Sequence, residues 1–366
     1  MACQHLTAIA LCSLFSLLPV TRLTASQPRQ SAVQQPQERE AVSHSPLSLR
    51  SYAQSRNFYL GAAAKTSGLS QDEQYGDYLA REFNLLTAEW EMKFRQLQPE
   101  RDRFNFTAAD QLIHFAIAND MAVRGHVLVW HSALPKWLTE GDWTREEAMA
   151  ILETHIKTVV GRYRGQIAAW DVVNEAITAD GELRDSFWLR EIGPDYIELA
   201  FRWAKEADPN ALLFYNDFGN EGLGRKADAI YQFVQDWQAK DIPIDGVGLQ
   251  MHVAANSPPN PDHVAQNMQR FAALGLAVHI TEMDVRLKQP VATQDYQTQA
   301  EIYQAMLRTC LQADNCNTFI TWGFSDRHSW IPSYFEGWGE ALLFTRDYAA
   351  KPAYYRLLAE LANLSP

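Results

Sequence analysis

From about residue 57 onward, short apolar runs alternate with stretches in which apolar residues recur at helical spacing. Such runs are typical of buried parallel strands, and each parallel connection needs a crossover that is usually a helix. Eight runs over about 310 residues predict one α/β domain, a (β/α)8 TIM barrel. The predicted strands are 58–64, 83–89, 121–131, 167–175, 211–217, 246–252, 276–282 and 318–324. The clearest helical segments are 108–118, 146–163, 196–207, 226–240, 263–274 and 296–311.

The segment ahead of the predicted barrel has two parts. Residues 1–26 resemble a signal peptide, because an apolar run from Leu6 to Val20 is followed by small residues, although no Lys or Arg precedes it. Residues 27–55 are rich in Gln, Pro and Ser and are predicted to form a disordered tether. The domain would span residues 56–366 of a secreted or periplasmic protein, with an uncleaved N-terminal anchor as the alternative.

Charge and cysteine content limit the partners of the chain. The formal net charge of −12 argues against nucleic acid, whose binding depends on clustered Lys and Arg. No Gly-rich phosphate-binding loop is present, so no nucleotide cofactor is expected. We also expect a monomer.

The cysteine content predicts a disulfide. Loss of the leader would leave Cys310 and Cys316, which we expect to form a local disulfide in an exported protein; two free buried thiols are the alternative.

Polar side chains stand at or near the ends of seven predicted strands. The carboxyl ends of parallel barrel strands open on one face, where such barrels carry their active sites, so these residues are expected to share a site. Any one of them alone could be a core polar group with its hydrogen bonds satisfied. They are Glu89, Lys93, His126, Trp130, His131, Asn174, Glu175, Asn216, Asp217, Gln250, His252, Glu282, Trp322, Asp326 and Trp330.

Two of these strand ends carry glutamates, Glu175 and Glu282. A pair of carboxylates suits hydrolysis of a glycosidic bond, because one acid protonates the leaving oxygen while the other attacks the sugar or activates water. Donors such as His252 would hold Glu282 ionised. Glu175 must carry a proton in the resting enzyme, so we expect its pKa to be raised, partly by the nearby charge of Glu282.

A metal site is the alternative use of these residues, since Asp217, Glu282 and the histidines are possible ligands. Trp, Asn and Gln side chains stand among them, and these suit hydroxyl recognition and stacking on sugar rings better. We therefore expect no metal.

Two motifs then resemble those of a known family. Trp170-Asp-Val-Val-Asn-Glu175 and Ile280-Thr-Glu-Met-Asp284 resemble the acid/base and nucleophile motifs of glycoside hydrolase family 10, the retaining endo-β-1,4-xylanases. Further blocks around residues 124–132, 243–252, 321–330 and 351–354 follow in the order of that family. The resemblance covers about residues 57–364 and implies a (β/α)8 barrel that acts on xylan or a related β-1,4-linked polysaccharide.

The resemblance also implies roles for single residues. Glu175 would be the general acid/base and Glu282 the nucleophile of a double displacement with retention of anomeric configuration, with carboxyl groups about 5–5.5 Å apart. Cys310 and Cys316 stand where many members have a disulfide, and no cofactor is implied. The residues at positions that line the sugar subsites are Glu89, Lys93, His126, Trp130, Asn174, Gln250, His252, Trp322 and Trp330.

Three positions depart from the pattern of the family. Trp90 replaces an asparagine that binds xylose, Ala133 replaces a glutamine near the glycone side, and Phe218 replaces a tyrosine. Each lost hydrogen bond is worth about 0.5–1.5 kcal/mol, so affinity for the glycone is expected to fall unless other groups compensate. The same chemistry on another β-glycan or a decorated xylan is therefore the second interpretation. A carbohydrate-binding pseudoenzyme is the third, although both glutamates are present.

Overall fold

The computed structural model describes residues 48–363, and this part of the chain holds ten strands and fourteen helices. No helix within it is both long and apolar enough to span a bilayer. The strands are β1 (Tyr59–Ala64), β2 (Leu85–Ala88), β3 (Ala122–Trp130), β4 (Ala169–Asn174), β5 (Leu212–Asp217), β6 (Gly246–Leu249), β7 (His252–Ala254), β8 (Ala277–Lys288), β9 (Thr318–Thr321) and β10 (Trp338–Gly339).

Eight of these strands close into a barrel. β1 to β6 pair in parallel in chain order, β6 pairs with β8, and β9 lies between β8 and β1. Every residue of β4 is buried, as expected where a parallel strand packs against side chains inside the barrel and helices outside it. Beyond the barrel, the later part of β8 pairs in parallel with β7 and antiparallel with β10. The (β/α)8 barrel predicted from the alternating pattern is confirmed.

The six predicted helices form, each with bounds within a few residues of the prediction. α7 begins with a capping box in which Thr144 and Glu147 satisfy each other's backbone N–H groups. The helices are α1 (Leu49–Gln54), α2 (Thr66–Gln71), α3 (Tyr75–Glu82), α4 (Phe94–Leu97), α5 (Thr107–Ala118), α6 (Lys136–Thr139), α7 (Arg145–Arg162), α8 (Phe187–Glu191), α9 (Tyr196–Ala207), α10 (Arg225–Ala239), α11 (Pro261–Ala272), α12 (Thr293–Gln312), α13 (Ile331–Tyr334) and α14 (Pro352–Asn363).

The N-terminal boundary of the barrel domain lies earlier than the sequence predicted. Residues 49–54, assigned to the tether, form α1, whose residue Leu49 is fully buried. The buried Arg50 guanidinium donates hydrogen bonds to the carbonyl of Ala80 at 2.9 Å, in the last turns of α3 before β2, and to that of Asp120 at 3.1 Å, just ahead of β3. The prediction of a tether extending to residue 55 is thus wrong for its last residues. The signal peptide and the rest of the tether lie outside the described residues.

The predicted disulfide is present. Cys310, near the end of α12, is bonded to Cys316 in the loop that leads into β9. The bond therefore ties the end of an outer helix to the loop that leads into β9.

Candidate active site

Glu175 and Glu282 lie on the same face of the barrel, joined by a chain of amide side chains. Gln250 Nε2 donates to Glu175 Oε1 at 3.0 Å and lies 3.2 Å from Asn174 Oδ1. Asn216 Nδ2 donates to Asn174 Oδ1 at 2.9 Å and to Glu282 Oε1 at 2.7 Å. Because each amide is buried and bonded on both sides, the positions of the two carboxylates are fixed relative to each other.

Glu175 accepts hydrogen bonds from residues at the ends of two other strands, β3 and β6. In addition to the bond from Gln250, Trp130 Nε1 donates to Glu175 Oε2 at 2.9 Å, and His131 Nδ1 lies 3.9 Å from the same oxygen. Burial raises the pKa of Glu175, but the hydrogen bonds from Gln250 and Trp130 lead the effects that outweigh it, so its pKa lies below the ordinary value. The expectation of a raised pKa is therefore wrong for the enzyme without substrate.

The backbone of Glu175 is held in an uncommon conformation. Its φ is 56°, in the left-handed region that non-glycine residues enter at a cost of about 1–2 kcal/mol. Its N–H donates to Asn216 O at 2.9 Å, and its carbonyl accepts from Arg184 Nε at 2.7 Å. These two bonds offset the cost and turn the side chain into the cleft immediately after β4.

Glu282 lies beside an imidazole that bridges two carboxylates. His252 Nε2 is 3.2 Å from Glu282 Oε2, and its Nδ1 is 2.8 Å from Asp284 Oδ2. Trp330 Nε1 donates to the same Asp284 oxygen at 2.8 Å. Burial lowers the pKa of His252, but Asp284 and Glu282 raise it more, to about 10. His252 is therefore a cation at neutral pH, and it faces Glu282 from 3.2 Å.

A second imidazole approaches Glu282 from β3. His126 Nδ1 lies 3.0 Å from Asp171 Oδ2 and 4.0 Å from Glu282 Oε1. Burial raises the pKa of Asp171, but Arg124, whose Nε donates to it at 3.1 Å, and His126 bring it below the ordinary value. The His126 and Trp322 rings meet in an edge-to-face arrangement, with centroids 5.1 Å apart. Asp171 therefore orients the His126 ring within the site.

The remaining predicted binding residues lie on the β1–β3 side of the same cleft. Lys93 Nζ lies 4.8 Å from the ring centroid of Trp130. Burial lowers the pKa of Lys93, while Glu282, Glu89 and Glu175 oppose that change. Glu89 accepts from Lys65 Nζ at 3.1 Å, and burial raises its pKa despite this cation. Ten of the eleven predicted catalytic and substrate-binding residues are thus connected through contacts around one site, and the charge of the eleventh, Glu89, acts on Lys93.

Not every polar strand end faces the cleft. Asp217 accepts from Lys226 at 2.7 Å and from the Tyr215 hydroxyl at 2.5 Å, and burial raises its pKa to about 6. Asp326 is likewise paired with the buried Lys351 at 2.9 Å. These two carboxylates are satisfied within the core. Within residues 48–363, no three His, Cys, Asp or Glu side chains are grouped so that they could hold a metal ion.

Sequence reasoning assigned no role to three residues that shape the site. Asn216 bonds Glu282 directly, Asp284 holds His252, and Asp171 holds His126. Asn216 was visible as a strand-end polar residue. Asp284 carried a weaker signal, because it comes two residues after Glu282 on the same strand and so projects from the same face. Asp171 lies inside β4, where nothing distinguished it from a core residue.

Comparison with known proteins agrees with this geometry. The model of glycosyl hydrolase family 10 matches residues 48–360. Endo-1,4-beta-xylanase B of Thermotoga neapolitana is 43% identical over 312 residues, which are 84% of this chain and 90% of the relative.

Solved structures show the same similarity. The fold resembles xylanase 10B from Thermotoga petrophila RKU-1 in complex with xylobiose, with a TM-score of 0.84, 45% identity and coverage of 86% of this chain and 97% of the other. It also resembles Penicillium canescens endo-1,4-beta-xylanase XylE, with a TM-score of 0.84, 35% identity and coverage of 86% and 97%. From its paired glutamates, its barrel and these matches, the chain belongs to glycosyl hydrolase family 10.

Proposed function

We propose that the protein is an endo-1,4-β-xylanase that hydrolyses the β-1,4 bonds of xylan with retention of anomeric configuration. The observation that carries the proposal is the fixed pair of Glu175 and Glu282, one hydrogen-bonded by Gln250 and Trp130 and the other facing cationic His252. The names of the relatives support the choice of xylan, since those compared are xylanases and one was solved with xylobiose.

The first step of the reaction breaks the glycosidic bond. Glu282 attacks the anomeric carbon and forms an ester with the sugar, while Glu175 gives its proton to the departing oxygen. Glu282 begins this step as an anion that His252 and Asn216 stabilise at 3.2 and 2.7 Å. Glu175 must begin it protonated. A glycan that displaces water from Glu175 strengthens the effect of burial, which already acts to raise its pKa.

The second step frees the sugar. Glu175, now an anion, removes a proton from water as the oxygen attacks the anomeric carbon, and the ester bond to Glu282 breaks. The hydrogen bonds from Gln250 and Trp130 stabilise the anionic form of Glu175 that this step requires. Once Glu282 is esterified, its negative charge is gone, which lowers the pKa of Glu175 further.

The proposal includes location and assembly. We propose that the protein is exported to the periplasm or the medium through the N-terminal leader and acts as a monomer. The disulfide between Cys310 and Cys316 supports export, because such bonds persist in oxidising compartments.

A product profile tests the proposal. The chain from residue 48 onward is incubated with linear β-1,4-xylan, arabinoxylan, glucuronoxylan and soluble β-glucan, with Glu175→Ala as the matched control. We expect short xylo-oligosaccharides from xylan with the wild type and none with the variant. NMR of the first products should show the β anomer; an initial α anomer contradicts retention, and release only from β-glucan contradicts xylan as the substrate.

A second candidate is the same reaction on a decorated xylan. It is favoured by the exposed indole of Trp90, which is 41% accessible at the rim of the cleft where the family pattern has a xylose-binding asparagine. The same panel of substrates distinguishes the two candidates.

A further inference from the structure

The rim of the cleft carries a row of alternating indole rings and cations. It begins at Trp130, whose indole N–H donates to Glu175. Lys93 Nζ lies between two rings, 4.8 Å from the centroid of Trp130 and 4.7 Å from that of Trp90. The Arg95 guanidinium also contacts Trp90, 5.3 Å from its ring centroid. The row therefore leads from a catalytic carboxylate to an exposed arginine.

The two cations of this row have different surroundings. Lys93 is buried, and the charges of Glu282, Glu89 and Glu175 act on its ammonium group. Arg95 is exposed, and within residues 48–363 no carboxylate forms an ion pair with its guanidinium. Arg95 therefore keeps its charge available for a ligand.

The neighbouring backbone brings a further change to the same place. The Arg95 N–H donates to the carbonyl of Ala133 at 2.9 Å. Ala133 and Trp90 are two of the three positions that depart from the family pattern, and each has lost an amide that suits a neutral sugar. An indole stands in place of one of these amides, and the exposed Arg95 guanidinium lies beside that indole. The changed part of the rim therefore offers a stacking surface next to a positive charge.

We propose that this rim binds a uronic-acid branch of the polysaccharide on the glycone side, with Trp90 stacking on a sugar ring and Arg95 pairing with the carboxylate. The inference rests on the xylanase function proposed above and specifies its substrate. A planar guanidinium matches a carboxylate with two parallel hydrogen bonds, and an indole face suits the apolar face of a pyranose. A net charge of −12 repels acidic glycans at long range, so a local cation is what an acidic branch would need.

Three matched oligosaccharides test the proposal: a linear xylo-oligosaccharide, the same chain with one glucuronic-acid branch, and that branched chain after reduction of its carboxylate to an alcohol. For Arg95→Gln we expect kcat/KM to fall about fivefold on the acidic chain at low salt, with little change on the other two. The loss should shrink in about 0.5 M salt, and Arg95→Lys should restore part of the activity. Trp90→Ala should lower kcat/KM on both branched chains alike.

Arg101→Gln is the matched control. The Arg101 guanidinium lies over the Trp143 ring at 4.8 Å, in a contact of the same kind that involves no residue of the active site. An equal effect of Arg95→Gln on the acidic and reduced chains, or no effect on the acidic chain, overturns the inference. So does a wild type that cleaves the linear chain but neither branched one. A wild type inactive on all three chains contradicts the proposed xylanase function itself, and with it this inference.

Discussion

Replacing Asp284 with Asn tests the electrostatic account of the nucleophile. Asp284 accepts from His252 Nδ1 and from Trp330 Nε1, each at 2.8 Å, and contributes to raising the pKa of His252 to about 10. An asparagine oxygen can accept both bonds, so Asp284→Asn removes the charge while keeping the shape. We expect the pKa of His252 to fall towards the value of about 6.5 of an ordinary histidine.

The size of the effect follows from proton linkage. A histidine with a raised pKa contributes stability that is fully present below about pH 6.5 and is lost as the pH rises to about 10. That interval corresponds to about 5 kcal/mol of unfolding free energy at most. Glu282 also raises this pKa, so we expect the variant to lose about half of the pH-dependent stabilisation, about 2–3 kcal/mol.

Urea unfolding of wild type and variant between pH 6 and pH 9.5 measures this contribution. Taking the difference between the two proteins cancels the titration of groups common to both. The gap in unfolding free energy should be largest at pH 6 and should narrow as the pH rises. The new amide also places N–H groups where Asp284 Oδ1 has no partner, which adds a cost that does not vary with pH. A gap of constant size across this range would refute a cationic His252.

Three further changes probe other parts of the molecule. Glu175→Ala should spare aryl glycosides with very good leaving groups far more than xylan, since only the polymer needs protonation, and equal loss of kcat/KM on both would contradict the acid role. Asn216→Ala removes the bond to Glu282 at 2.7 Å, so kcat should fall about 10- to 100-fold; unchanged kcat would refute the positioning role. Replacing Cys310 and Cys316 with Ser should lower the unfolding free energy by about 2 kcal/mol, and reductant should then have no further effect.

The barrel and the grouping of the site residues could be predicted from the sequence, because both depend on the periodicity of apolar residues. Strand ends of a parallel barrel meet on one face, so Glu175, Gln250 and Glu282 could be grouped without coordinates. The same rule could not separate Gln250, which faces the cleft, from Asp217, which is bonded to Lys226 in the core. That difference depends on which side chain lies within hydrogen-bonding reach, and periodicity alone pairs neither Gln250 with Glu175 nor Asp217 with Lys226.

The pKa of Glu175 shows a second limit of the sequence. The direction in which this pKa shifts depends on a balance between burial, which raises it, and the hydrogen bonds from Gln250 and Trp130, which lower it. Both donors stand at the ends of other strands. A sequence indicates that such donors exist but not whether they reach the carboxylate. The helix at residues 49–54 was missed for a related reason: its stability comes from packing and from the bonds of Arg50 to distant carbonyls.

The position of α1 determines how the enzyme can be attached to something else. Arg50 bonds the carbonyls that precede β2 and β3, so α1 covers the pole of the barrel opposite the strand ends that carry the two glutamates. A fusion partner or solid support joined just ahead of Ser48 is consequently linked at the far pole. A long polysaccharide can then enter the cleft from the open side, and immobilisation by this route leaves the catalytic face directed outward.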